Sequence, residues 1–281
     1  MFDEEKINNI KVKPIVVVDS GEQKIKGGSV FNLKNWIAFI SARKKSGKSS
    51  LIANIINQTT SKKTTIWLFC STYKIDKTWI EVIKNLEEKG YIVNCFDSIV
   101  DGAGKKSVDN LQIILDDLAQ GKDSPVEKEP EPELRDRFGL KVKGMGQMFK
   151  EEVVKKPKKP KIHVSSNLFI LDDVAQQLKL PSVERLCKTH RHSDSNIIIS
   201  SQYAKDLLPS CITQIDFLIM FKGFQDDKVE HLHRILDLSI PFELFNKIYK
   251  HCVEEPYSFM VVDVRTERIR KNFNTMIKYK I

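Results

Sequence analysis

Long apolar runs are missing from this chain of 281 residues. No stretch reaches the roughly 18 to 20 uncharged apolar residues that a membrane-spanning helix needs, so membrane insertion is not expected. Met1-Phe2-Asp3-Glu4-Glu5 has neither the basic start nor the apolar middle of a secretory leader, and the expectation is a soluble protein acting inside a cell. Cysteine is sparse. Cys70, Cys95, Cys187, Cys211 and Cys252 are odd in number, widely scattered and never at C-x-x-C spacing, which argues against a disulfide framework or a zinc site. They read as small hydrophobes. Ligand-spaced histidines are missing too. His190 and His192 stand at i and i+2 with no acid at ligand spacing, and His231 and His233 repeat that pattern, so all four read as surface or packing residues.

Positive charge is what the chain has in excess: 46 Lys and Arg against 37 Asp and Glu, a net +9. That balance suits contact with a polyanion and also serves solubility. It is unevenly spread. Glu127, Glu129, Glu131 and Glu133 crowd one tract, and Lys150, Lys155, Lys156, Lys158, Lys159 and Lys161 crowd a Pro-punctuated tract just after it. Both belong to a charged, flexible insertion over 121–166, which reads either as a solvated loop or as a partner contact.

Periodicity and punctuation predict strands at 15–18, 36–41, 64–70, 91–96, 168–171, 196–200, 217–221, 258–262 and 269–273. Helical patterns fall at 48–58, 77–90, 107–120, 181–189, 226–236 and 241–251. Strands alternating with helices predict an α/β fold with a mainly parallel central sheet and right-handed crossovers. Residues 1–29 read as an N-terminal extension packing on a core domain of 30–281.

The segment from Trp36 to Ile52 reads as strand, tight loop, helix. An apolar strand ends at Ser41, and Leu51, Ile52, Ile55 and Ile56 follow at helical spacing. Between them, Ala42-Arg43-Lys44-Lys45-Ser46-Gly47-Lys48-Ser49 fits G-x-x-x-x-G-K-[ST] except at its first position, where Ala42 replaces glycine. Such a loop turns backbone N–H groups inward, and the following helix adds partial positive charge, so a nucleoside triphosphate is the implied ligand. Residues Ala42 to Ser50 are the candidate nucleotide cradle. Lys48 is expected to reach the β- and γ-phosphates, Ser49 to offer a hydroxyl to Mg²⁺, and Gly47 to let the backbone approach.

Downstream, Asn167-Leu168-Phe169-Ile170-Leu171-Asp172-Asp173 is an apolar strand ending in two carboxylates. Asp172 is the candidate metal ligand and Asp173 the candidate group that polarises an attacking water. A rival pair, Asp116 and Asp117, also follows an apolar run. There Val108, Leu111, Ile114, Leu115 and Leu118 keep helical spacing, so those acids read as the exposed side of a helix. Gln202 ends a strand and is a candidate γ-phosphate sensor.

The order of phosphate loop, long crossover region, Leu-Asp-Asp, Arg191-His192 and a strand ending Ser201-Gln202 resembles the genome-packaging ATPases of the FtsK-HerA superfamily, of the poxvirus, giant-virus and virophage type. The resemblance spans about Val30 to Phe221. It implies a three-layer P-loop NTPase fold of the ASCE, RecA/FtsK-like kind with antiparallel strands at its C-terminus. Lys48 and Ser49 match the Walker A element, Asp172 and Asp173 the Walker B element, and Gln202 the sensor. Asp173 stands where many such enzymes carry Glu, and no arginine occupies Ile212-Thr213-Gln214-Ile215-Asp216. The resemblance further implies ATP and Mg²⁺ as cofactors and a homo-oligomeric ring, hexamer or pentamer, with Arg191 as candidate arginine finger and Arg185 in reserve. It implies sequence-independent double-stranded DNA and capsid or portal proteins as partners, in the host cytoplasm, the virus factory or the virion. Lys222, Lys228 and the 155–161 tract are candidate DNA contacts. Three rivals stay open: a helicase or DNA-processing ATPase of the same superfamily, a small-molecule kinase using 121–166 as a lid, and a non-catalytic nucleotide-gated scaffold.

Overall fold

The computed structural model describes residues 24–102, 107–123 and 162–279. The strand expected at 15–18 and both charged tracts lie outside those residues. Chain order is β1 (Lys24–Ile25), β2 (Ile37–Ser41), α1 (Lys48–Thr59), β3 (Thr65–Cys70), α2 (Lys77–Glu88), β4 (Ile92–Phe96), β5 (Val100–Asp101), β6 (Val108–Asp109) and α3 (Asn110–Asp123). Then come β7 (Ile162–His163), β8 (Asn167–Asp172), α4 (Pro181–Thr189), β9 (Ser195–Ser201), the single turn α5 (Pro209–Ile212), β10 (Phe217–Phe221), α6 (Asp226–Ile235) and α7 (Phe242–Cys252). Strands β11 (Phe259–Asp263), β12 (Arg268–Lys271) and β13 (Thr275–Ile277) close the chain.

The nine-stranded sheet runs β13-β12-β11-β10-β2-β9-β8-β3-β4. From β10 to β4 every pairing is parallel, and β11, β12 and β13 join antiparallel. Because crossover helices cover both faces, the central strands are apolar on both sides and read as continuous runs: Ile37–Ser41, Asn167–Asp172 and Phe217–Phe221 are buried throughout. Alternation sorts their side chains. Ala38, Ile40, Leu168, Ile170 and Ile198 face α1 and α2 with Leu51, Ile52, Ile55 and Trp79. Ile37, Phe39, Phe169, Leu171 and Ile199 face α3, α4, α6 and α7, through Leu111, Leu186, Leu232 and Phe245 among others. The result is helix, sheet, helix: the three-layer α/β fold with C-terminal antiparallel strands.

One strand, β9, separates the phosphate-loop strand β2 from the acidic strand β8. Parallel register brings the three C-terminal tips to one edge: Ser41 lies opposite Ser201, and Ser200 opposite Asp172. Ligands in open α/β sheets bind at that edge.

The strand boundaries agree with the sequence pattern to within a residue or two, with one element missed, β13. Missed as well are two small pairings. β1 pairs in parallel with β7, which ties the return of the 121–166 region to the start of the described chain, and β5 pairs antiparallel with β6. Two-residue strands are too short to carry periodicity.

Candidate active site

The phosphate loop meets the acid pair at this edge. The Lys48 ammonium lies 2.7 Å from Asp172 Oδ1 and 2.9 Å from Asp173 Oδ1. Asp172 is buried at 1% exposure and Asp173 is open at 55%, so the two carboxylates occupy different environments. Burial opposes the charge on Lys48, but the Asp172 and then the Asp173 carboxylates outweigh it and hold the lysine above its ordinary pKa.

Backbone geometry explains the departure at the first loop position. Lys45 and Gly47 take positive φ, 62° and 94°, whereas Ala42 does not. The left-handed turns have moved away from position 42, so a Cβ is tolerated there. Gly47 is the cap of α1, whose first turn carries no acidic residue and no side-chain cap, leaving its N-terminal N–H groups for an anion. Residues 42 to 50 line a cleft of about 540 Å³ together with Asp173, Ser201 and Gln202. Inside it the Ser46 hydroxyl is buried with no hydrogen-bond partner. A buried orphan polar atom in a cleft points to an absent ligand group.

Asp172 is fixed from behind. The indole Nε1–H of buried Trp79, on α2, donates to Oδ2 at 3.0 Å. Oδ1 faces the Lys48 ammonium at 2.7 Å, so it becomes a free hard oxygen donor only when Lys48 turns to another anion. In donor chemistry, that oxygen and the hydroxyl of cleft-lining Ser49 suit a Mg²⁺ ion, which takes few protein ligands and relies on phosphate oxygens and water for the rest. Among the described residues no cluster of three or more His, Cys, Asp or Glu offers an all-protein metal cage. Asp173 has φ of 55°, a left-handed conformation that Asp tolerates better than most, and the Ser71 hydroxyl donates to its carbonyl at 3.0 Å. Held in that turn, Asp173 lines the cleft.

On the β3 side, lining residues escaped the sequence reading: Thr72, Ile75 and Asp76, in the loop from β3 into α2, and Thr78, in the first turn of α2. The signal was present. β3 flanks β8, so its C-terminal loop must open onto the same edge, and Asp76 is the N-cap of α2, accepting from the Thr78 N–H at 2.8 Å.

Arg191, the candidate finger for a neighbouring subunit, lies away from the cleft of its own chain. It follows α4 and lies 3.9 Å from Asp216, whose other oxygen accepts from the Ile37 N–H at 2.9 Å. Ile37 opens β2, so this pair sits at the edge opposite the loop. Arg185 is also engaged elsewhere, 2.5 Å from Asp116 on α3. Asp116 and Asp117 both lie on α3, as their spacing predicts. His190 is a packing residue, its ring bonded to the Cys187 and Asn35 carbonyls. Burial pushes the Cys70, Cys95 and Cys252 thiols up to about 11, away from thiolate chemistry. No helix among the described residues is long and apolar enough to cross a membrane.

This strand order, with a phosphate loop and an acid pair on one edge, is the P-loop NTPase fold. Two solved structures share it. The chain is similar to the genome packaging NTPase B204 from Sulfolobus turreted icosahedral virus 2 in complex with AMP, with TM-score 0.50 and 17% identity over 85% of this chain and 96% of that one. It is similar to the same extent, TM-score 0.50 and 17% identity over 85% and 97% of the two chains, to B204, the DNA-packaging ATPase from Sulfolobus Turreted Icosahedral Virus. No family model and no curated protein matches the chain. At this identity the likeness establishes a shared fold.

Proposed function

We propose that this chain is an ATPase motor that drives double-stranded DNA into a viral capsid. The observation that carries the ATPase reading is the meeting of Lys48 with Asp172 and Asp173 across the intervening strand β9, at the mouth of an amide-lined loop. In the chemical step, water attacks the γ-phosphorus in line, the bond to the β–γ bridging oxygen breaks, and ADP and phosphate leave. Lys48 exchanges its carboxylate partners for phosphate oxygens and offsets their charge. That exchange frees Asp173 to accept the proton of the attacking water, while Gln202, at the tip of β9, orients it. Asp172 and Ser49 would hold Mg²⁺, which supplies charge neutralisation on the phosphates.

Packaging rather than strand separation is favoured by the likeness of the whole fold to B204, described as a genome-packaging NTPase. DNA contact through phosphates would be independent of sequence and weakened by salt. The partners that go with this reading are a homo-oligomeric ring, a capsid or portal protein and a site of action in the cytoplasm of the infected cell. Arg191, far from its own cleft, can serve as a finger only for a neighbouring subunit.

Hydrolysis of ATP by the parent and by Lys48→Ala, each with and without duplex DNA, tests the proposal. Stimulation of the parent by DNA and loss of activity in the variant support it. Phosphoryl transfer to a nucleoside would favour the kinase, and unwinding of a forked duplex the helicase.

A further inference from the structure

The acids and the sensor all lie on one side of the phosphate loop. Asp173 directly follows β8 and Gln202 directly follows β9, and the β3 to α2 loop lies further out in the same direction. A triphosphate whose γ end points at these groups must send its nucleoside the other way, over β10 and β11. On that side stands Tyr257. It precedes β11, and because β11 is antiparallel to β10, with Phe259 opposite Phe221, its start lies at the same edge of the sheet as the loop.

Tyr257 has two unusual features. Its φ is 61°, a left-handed conformation costly for a bulky aromatic, and its side chain is 72% exposed. The turn that imposes this is tied down: the Ser258 hydroxyl donates to the Glu255 carbonyl at 2.7 Å, the Glu255 carboxylate meets Lys271 at 2.9 Å, and Lys222 donates to the Glu254 carbonyl at 3.2 Å. The ring is pressed against the loop. A Cβ on Gly47 would lie 3.2 Å from Tyr257 Cδ1, so the absence of a side chain at 47 makes room for the aromatic as well as for the left-handed turn. An exposed aromatic held in a strained turn, in contact with the loop, has no packing role that requires it.

We infer that Tyr257 is the nucleobase platform of this site, its ring stacking on a purine whose phosphates lie in the loop 42–49. The inference rests on the nucleotide reading above and adds a determinant of affinity that the loop alone does not supply. Stacking on an aromatic tolerates any base, so the platform grips without selecting strongly between adenine and guanine.

The test measures equilibrium binding of ATP, GTP and inorganic tripolyphosphate, each with Mg²⁺, to the parent, Tyr257→Ala and Tyr257→Phe. The expected result is a loss of about tenfold in affinity for ATP and GTP in Tyr257→Ala, near-parent affinity in Tyr257→Phe, and unchanged tripolyphosphate binding in both. Equal ATP affinity in Tyr257→Ala and the parent overturns the inference. An equal loss for tripolyphosphate also overturns it, because Tyr257 would then act only by supporting the loop at Gly47. A parent that binds tripolyphosphate but not ATP more tightly refutes the platform while leaving the phosphate cradle standing. A parent that binds neither removes both readings.

Discussion

The Trp79 indole is the group whose removal reports best on how the acid pair is held. Trp79→Phe deletes the donor to Asp172 Oδ2, a 3.0 Å bond between fully buried groups, while keeping an aromatic in the pocket. A hydrogen bond to a charged acceptor is worth about 1.5–3 kcal/mol, and its loss leaves one carboxylate oxygen buried without a donor. The smaller ring also leaves a void of roughly 40 Å³, which at about 24 cal/mol per Å³ adds about 1 kcal/mol. The expected destabilisation is therefore about 2.5–4 kcal/mol, read from the urea midpoint of the unliganded chain. Leu86→Ala supplies the control. Leu86 is buried on the same helix, and its truncation costs a comparable 2–5 kcal/mol or so without touching the carboxylate. Trp79→Phe should in addition raise the Mg²⁺ concentration needed for half-maximal ATP hydrolysis, since Asp172 is freer to turn, and Leu86→Ala should not. A double-mutant cycle with Asp172→Ala isolates the pair, and a coupling of about 1.5–3 kcal/mol is expected. A coupling near zero, with an unaltered Mg²⁺ requirement, would refute the reasoning.

Three further outcomes follow from the same geometry. Lys48 is held above its ordinary value of 10.5, so the ion pair stabilises the fold fully below pH 10.5 and that contribution fades as pH rises through the higher folded value. Lys48→Met should lose less stability than the parent between pH 10.5 and higher pH in matched urea titrations, and parallel curves would contradict the pairing. Gly47→Ala must accept φ of 94° and a close contact with Tyr257, costing about 1–2 kcal/mol and most of the nucleotide affinity. Ala42→Gly, at a residue without positive φ, should cost about 0.5–1 kcal/mol and leave affinity unchanged. Calorimetric titration with ATP separates the two. Arg191→Ala should leave ATP affinity of the isolated chain intact, because the residue lies beside Asp216 at the far edge of the sheet, and a loss of affinity would contradict that placement.

The fold was legible in the sequence wherever burial on both faces writes a continuous apolar run. Ile37–Ser41, Asn167–Asp172 and Phe217–Phe221 are such runs, and the amphipathic spacing of Leu51, Ile52, Ile55 and Ile56 defines α1 as clearly. The cleft was legible for a different reason: a phosphate cradle is built mostly from consecutive residues, so one motif contains eight of its lining positions, Ala42 to Ser49, and Ser50 follows directly. What the sequence hid was whatever depends on strand order. Nothing local says that Trp79 lies behind Asp172, that the β3 to α2 loop lines the cleft, or that Tyr257 touches Gly47. Each of these contacts exists only because β3 and β11 take their places in the sheet. Strand order also decides where Arg191 stands: just before β9 it lies at the beginning of a parallel strand, the end of the sheet away from the phosphate loop of its own chain.

The most direct measurement is the behaviour of Asp173→Asn, which keeps the shape of the exposed acid and removes its capacity to take a proton. Asp173 contacts Lys48 at 2.9 Å and lines the cleft, and a positioned general base contributes about 10²–10⁴ in rate. The variant should bind ATP at least as tightly as the parent and hydrolyse it at least about a hundredfold more slowly. Hydrolysis at the parental rate would show that this pair of carboxylates is not where the reaction occurs.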